Sequence, residues 1–297
     1  MIETFLQPLP HGITLSCRAA GERGRPVLMF LHGFPQAAFV WDDLLLHFSQ
    51  PEHGGYRCIA PNLRGYEDSS APPDAKAYRA KYLVQDIAAL IASETAGAPL
   101  FALVAHDWGG AVAWNLAAQH PRLLRRLLIV NAPHPATFLR ELRDSPEQIA
   151  ASAYMSFLVR PDAACLLAED DWRRLWPFFD DAAWLDAPTR QRYRDTWSRG
   201  LEGPLNYYRA SPLRPATSGY DGLAAVVLPD DAVTVHVPTW VLWGERDAAL
   251  RPGLLDGLQR WVPRLQVERV PEASHWIVHE QPGRVVAAIE AALATTV

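Results

Sequence analysis

Leu103-Val104-Ala105-His106-Asp107-Trp108-Gly109-Gly110 reads as an apolar strand, then a sharp turn with small residues on both sides, then the start of an alanine-rich helix. Small-x-nucleophile-x-small is the form of a strand–turn–helix that presents a nucleophile, and here Asp107 stands where ester-cleaving enzymes usually carry serine. Ala105, Gly109 and Gly110 let strand and helix approach closely enough to push the Asp107 side chain out of the bend. A helix amino terminus behind the carboxylate favours its ionised form. A carboxylate can displace a leaving group from saturated carbon, giving an alkyl ester that water then cleaves. Attack on a carboxylic ester would give a reactive anhydride instead, so aspartate at this turn points away from esterase chemistry.

Working outward, segments 13–20, 26–33, 56–63, 99–105, 125–131, 238–243 and 265–270 read as short strands. Several, such as VLMFLHG and TWVLWG, are continuous apolar runs suited to strands covered on both faces of a parallel sheet. Helical patterns lie between them: Leu83, Ile87, Leu90 and Ile91 share one face, as do Val286, Ile289 and Leu293. Strand and helix in alternation predict a doubly wound α/β architecture with a mostly parallel sheet. The alternation stops from about His134 to Ala216, where the chain turns helical and rich in large aromatics. We read 134–216 as a helical cap inserted into a core domain made of 1–133 and 217–297, with 217–237 returning the chain to the sheet.

At 297 residues the chain can bury a substantial core, and one large domain with an inserted lobe suits that length. A composition 49% hydrophobic and 21% charged is ordinary for a soluble protein. No apolar run approaches the roughly 20 residues of a membrane span. The first residues, MIETFLQPLPHG, lack the basic and apolar pattern of a secretory signal, so the expected location is the cytoplasm. Net charge is −5 and the arginines are interspersed with acids, which argues against nucleic acid as partner and for a small substrate without strong charge, and the aromatic residues of 134–216 favour a mainly apolar one. Cys17, Cys58 and Cys165 form neither a disulfide framework nor a zinc spacing, and are read as structural thiols. Neither a metal nor an organic cofactor is expected, and monomer and homodimer both remain open.

After the strand VLMFL comes His32-Gly33-Phe34-Pro35, where backbone N–H of Phe34, together with that of Trp108, can hold an oxyanion. His32 itself is read as fixing the loop by hydrogen bonding. Further on, TWVLWG runs into Glu245-Arg246-Asp247, and QVERV is followed by Pro271-Glu272-Ala273-Ser274-His275. An acid after one strand and a histidine after the next, in the order nucleophile, acid, histidine, makes Asp247 the orienting acid and His275 the base. An imidazole of ordinary pKa near 6.5 can take a proton from water at neutral pH. Glu245 and His279 sit off the strand-end positions and are weaker candidates; His106, His120 and His134 are read as structural.

HGFP at 32–35, LRGYEDSS at 63–70, HDWGG at 106–110, WGERD at 243–247 and the ASHW that holds His275 resemble the epoxide hydrolases of the α/β-hydrolase superfamily, relatives of haloalkane and fluoroacetate dehalogenases. The resemblance spans nearly the whole chain and is weakest in the cap and in 217–237. It implies the α/β-hydrolase fold and two cap tyrosines that hydrogen-bond the epoxide oxygen. Tyr154 in YMSFLVRP resembles the first and Tyr208 in LNYYRASP the second, with Tyr207 the alternative one register away. Phenol hydroxyls, with pKa near 10, suit the basic alkoxide that ring opening makes, whereas a halide needs only weak donors. Phe34, Trp108, Tyr154 and Tyr208 would then also contact substrate.

The dehalogenase pattern fits less well: Phe34 stands where haloalkane dehalogenases usually carry Asn, while Trp108 and Ala111 stand where fluoroacetate dehalogenases carry arginines. Haloalkane or haloacid dehalogenation by the same aspartate is the alternative, and a non-catalytic ligand-binding member of the fold a more distant one. Glu67 departs from the family pattern, which favours Gly there and so brings the geometry of that turn into question.

Overall fold

The computed structural model describes residues 1–179, 182–217 and 219–295. Its strands are β1 (Glu3–Pro8), β2 (Thr14–Ala20), β3 (Val27–Leu31), β4 (Arg57–Pro61), β5 (Ala102–His106), β6 (Leu127–Val130), β7 (Thr239–Gly244) and β8 (Leu265–Val270). They form one eight-stranded sheet in the order β1-β2-β4-β3-β5-β6-β7-β8. β2 runs antiparallel to both β1 and β4, and every pairing from β4 across to β8 is parallel. The expected α/β architecture is the one found. β1 is the strand the apolar runs did not announce: ETFLQP pairs only with β2, at the sheet's edge, and stays largely exposed. The opposite edge strand, β8, is also exposed along most of its length.

Alternation along the central strands divides the interior into two apolar layers. Met29 and Leu31, Leu103 and Ala105, Leu127 and Ile129, Val241 and Trp243 face the helices Ala80–Thr95 and Asp107–Gln119. Their neighbours Leu28 and Phe30, Ala102 and Val104, Leu128 and Val130, Trp240 and Leu242 face Asp42–Phe48 and Pro282–Ala294. On the last helix the buried face is centred on Val285, Ala288, Ile289 and Ala292, with Val286 and Leu293 at its margin. The expected stripe was thus rotated by about one residue, because small alanines take the positions closest to the sheet.

Between β6 and β7 the chain folds into the helices Pro135–Asp144, Pro146–Ala151, Met155–Leu158, Ala163–Trp172, Ala187–Ser198 and Glu202–Ala210. Asp186 caps one of them by accepting from Thr189 N–H, and Ser145 caps another by accepting from Gln148 N–H. Leu158, Phe179, Tyr193, Trp197 and Leu205 pack together and onto Phe34, Phe39 and Trp276. Two indoles fix this layer to the strand-end loops: Trp197 Nε1 donates to the Pro35 carbonyl at 2.8 Å and Trp276 Nε1 to that of Phe178 at 2.8 Å. The segment 217–237 holds two short helical turns, packs Leu223 on Leu139 and Leu142, and delivers Val235 and Val237 to the sheet core. No helix among the described residues is long and apolar enough to cross a membrane.

Glu67 adopts a left-handed backbone, φ +50, the conformation that glycine takes without cost. Its carboxylate accepts from Thr196 Oγ1 at 2.5 Å and lies 3.2 Å from Arg199 Nε. A residue larger than glycine is therefore tolerated because its side chain ties the 63–70 loop to the helix Ala187–Ser198.

Candidate active site

In open parallel sheets the carboxyl ends of the strands converge on one crevice, where ligands bind. Here the loop after β3 supplies Phe34, the turn after β5 Asp107, the end of β6 Asn131, the turn after β7 Asp247 and the loop after β8 His275. Asp107 opens its helix with φ +48, a strained backbone for a non-glycine residue. Only small neighbours permit it. A Cβ on Gly33 would lie 2.3 Å from the Asp107 Cβ, one on Gly109 2.5 Å from the Leu31 carbonyl oxygen, and one on Gly110 2.2 Å from the Ala132 Cβ.

The two oxygens of Asp107 face different surroundings. Oδ1 accepts from Phe34 N–H at 2.7 Å, and the backbone N–H of Trp108 also favours the ionised carboxylate. Oδ2 lies 3.8 Å from His275 Nε2. On its other side His275 Nδ1 bonds Asp247 Oδ2 at 2.6 Å. Asp247 is fully buried and saturated: Asn131 Nδ2 donates to Oδ2 at 2.8 Å, and the N–H groups of Ala249 and Leu250 donate to Oδ1 at 2.9 and 2.8 Å. The structure thus brings Asp107, His275 and Asp247 into one line.

Burial pushes the Asp107 carboxyl above its ordinary range, opposed by His275 and by the N–H groups of Phe34 and Trp108. The helix amino terminus therefore does not by itself decide this group's acidity; desolvation outweighs the donors. Burial pulls His275 down, but Asp247, Asp107 and Glu280 outweigh it and raise the imidazole to about 9. The carboxylates of Asp247 and Asp107 on either side thus shift His275 toward its protonated form, above the ordinary value that the sequence suggested.

That shift carries a stability prediction. A folded-state pKa above the free value of 6.5 contributes stability that is complete below pH 6.5 and lost as pH climbs through about 9. His32, His106, His134 and His279, all pulled down by burial, contribute equally to the wild type and to a His275 variant and so cancel in a comparison of the two. Relative to His275→Gln, the unfolding free energy of the wild type should fall by on the order of 2 kcal/mol between pH 6.5 and 9. Denaturant titrations of His275→Gln over the same range should lack this fall; an equal slope in both proteins would contradict the pairing.

Tyr154 and Tyr208 stand over Asp107, their rings 6.2 Å apart and nearly perpendicular. Tyr208 also packs edge-on against Phe34 and Trp108, at 5.2 and 5.0 Å. Burial raises both phenols, with nearby Asp107 adding to it, so both stay protonated and able to donate. Tyr207 points elsewhere, its hydroxyl donating to the Arg64 carbonyl at 2.9 Å within the core. Two cavities meet at Asp107, Tyr154 and Tyr208. One, of about 230 Å³, is walled mainly by apolar groups such as Trp108, Phe138, Met155 and Leu250; the other, of about 300 Å³, passes Phe178, Trp276 and His275.

The weaker candidates are occupied elsewhere. Glu245 pairs with Arg269 at 3.1 Å, and His279 bonds Gln36 and Tyr193 while stacking on Trp184 at 4.2 Å. His32 accepts from Leu63 N–H at 3.0 Å, as its loop-fixing role required, and buried His134 lies 2.9 Å from the Val233 carbonyl. His106 reaches the His275 carbonyl at 2.9 Å and so supports the loop that carries the imidazole. Sequence reasoning missed Asn131 and Glu280. Asn131 sits at the end of β6 with φ +38, and its place among the strand ends was the available signal. Glu280 accepts from Ser274 N–H and Oγ at 2.7 and 2.6 Å and holds the residue before His275, from a position that no spacing marks out.

Comparisons with known proteins agree with this architecture. The family model described as "alpha/beta hydrolase fold" matches residues 26–282. The AB hydrolase superfamily protein YfhM of Bacillus subtilis is 34% identical, over 92% of this chain and 91% of its own. Epoxide hydrolase 3 of Xenopus tropicalis is 32% identical, over 95% of this chain and 75% of its own. The crystal structure of an epoxide hydrolase from Bacillus megaterium in complex with an inhibitor superposes with a TM-score of 0.88 at 30% identity, covering 98% of this chain and all of that one. With a sheet of this order, strand ends so furnished and relatives of this similarity, the chain belongs to the α/β-hydrolase fold family and, within that superfamily, groups with the epoxide hydrolases.

Proposed function

We propose that the protein hydrolyses an epoxide to a vicinal diol through a covalent alkyl ester on Asp107. The observation that supports this most is the division of labour between the oxygens of Asp107, a residue that lines both cavities: Oδ1 lies 2.7 Å from Phe34 N and Oδ2 3.8 Å from His275 Nε2. Oδ2 attacks an epoxide carbon while Tyr154 and Tyr208 hydrogen-bond the ring oxygen. The C–O bond of the ring breaks, its electron pair stays on oxygen, and the resulting alkoxide takes up a proton. Tyr154 or Tyr208 donates that proton and is reprotonated from water, while His275, once Asp107 is esterified and uncharged, gives its own proton to solvent and is left neutral. With the charge of Asp107 gone, one cause of the raised pKa disappears, and the imidazole becomes the base that the next step needs. It takes a proton from water, whose oxygen attacks the Asp107 Cγ. Phe34 and Trp108 N–H stabilise the oxyanion at Oδ1, and collapse releases the diol, the aspartate and the imidazolium. In this reading 134–216 is the cap that brings the tyrosines to the core, and the substrate is small and mainly apolar, as the lining of the 230 Å³ cavity favours.

Dehalogenation by the same aspartate is the competing reading. A panel of aryl and alkyl epoxides assayed beside haloalkanes and haloacids distinguishes them, since diol without halide release supports the proposal and halide release without diol overturns it. The tyrosines give a second test. Tyr154→Phe and Tyr208→Phe should each lower kcat on an epoxide by about tenfold or more, and the double variant by at least about a hundredfold. Tyr207→Phe should affect stability more than turnover. Unchanged kcat in the double variant would remove the tyrosines from the mechanism.

A further inference from the structure

On the sheet face away from the nucleophile helix, three side chains from three elements converge. His47 ends the helix Asp42–Phe48, His53 lies in the single turn Pro51–His53, and Glu290 stands on the helix Pro282–Ala294. Each offers one ligand atom, and those atoms all lie within 4.8 Å of one another. His47 Nε2 is 3.7 Å from Glu290 Oε1, too far for a hydrogen bond, and the two imidazoles stack with centroids 3.7 Å apart. Nε2 of His47 is buried with no hydrogen-bond partner. A ring nitrogen withdrawn from water and left without a partner costs free energy that the fold would ordinarily recover through a donor.

We propose that His47, His53 and Glu290 bind a divalent transition-metal ion of the zinc class. Two imidazole nitrogens and one carboxylate oxygen are a zinc donor set, with a fourth position left for water. Tetrahedral zinc with bonds of about 2.0–2.1 Å sets its donors roughly 3.4 Å apart. The His47–Glu290 pair is already within a few tenths of an ångström of that spacing. His53 must swing its ring out of the stack to direct a nitrogen at the same point. It sits in one turn followed by Gly54 and Gly55, both with positive φ, so this adjustment disturbs no long element. The bound ion satisfies the orphaned nitrogen and cross-links the first and last helices packed on this face of the sheet, and none of the three ligands belongs to the Asp107 site.

The test uses the full chain freed of metal by chelation and titrated calorimetrically with zinc chloride alone. The expected result is one zinc ion per chain, a melting temperature that rises with zinc concentration, and affinity lowered at least tenfold in both His53→Ala and Glu290→Gln. These two variants alter the accessible ligands, so folding is preserved while the donor set is broken; circular dichroism without metal checks this. Zinc binding of unchanged affinity and stoichiometry in both variants, or no binding by the wild type, overturns the site.

Discussion

Asp107→Asn should abolish turnover, with kcat reduced on the order of 10⁴-fold or more, as expected when the group that forms the covalent bond is lost. The substitution changes charge and almost nothing else. An amide oxygen still accepts from Phe34 N–H where Oδ1 now does, at 2.7 Å, and the shape of the residue in its tight turn is kept. Because burial already disfavours the ionised carboxyl, the neutral amide should leave the melting temperature unchanged or slightly higher at neutral pH. Loss of activity with a preserved fold is therefore the signature, measured by steady-state assay on an epoxide beside a thermal melt. Full activity in a sequence-verified variant would exclude Asp107 as the nucleophile.

His275→Gln should separate the two halves of the cycle. Alkylation of Asp107 needs the carboxylate, whereas release of the product needs a base, so the variant should form the ester and stall. Intact-protein mass spectrometry would then show an added mass, and its size is diagnostic. An epoxide adds across the aspartate with nothing expelled, so the increment equals the whole substrate; a haloalkane adduct falls short by the mass of the hydrogen halide. Multiple-turnover kcat should drop by about 10³-fold or more. Normal turnover by this variant would sink the scheme, and an increment short by a hydrogen halide would favour the dehalogenase reading.

Much of this was legible in the sequence because the informative signals are local. The LVAHDWGG turn carries its own small residues, and the three close approaches at Gly33, Gly109 and Gly110 are the steric reason. The apolar runs fall on central strands because those strands are covered on both sides. β1 gave no such signal, since an edge strand needs only one neighbour and one buried face. Tyr207 and Tyr208 are adjacent letters, and only the helix Glu202–Ala210 in three dimensions separates a hydroxyl spent on the Arg64 carbonyl from one beside Trp108. The acidity of His275 was out of reach for a similar reason. It depends on two aspartates and a glutamate assembled from distant segments, and spacing carries no information about desolvation.

The left-handed residue at position 67 bears on any attempt to exchange lobes between relatives. Its backbone is tolerated because Thr196 and Arg199 reach across to its carboxylate. A chimaera that imports a foreign helix without that threonine and arginine would inherit the torsional debt without its guarantor. Restoring glycine at 67 in the recipient should then recover expression and melting temperature, whereas the same change in the parent should loosen the junction it now secures.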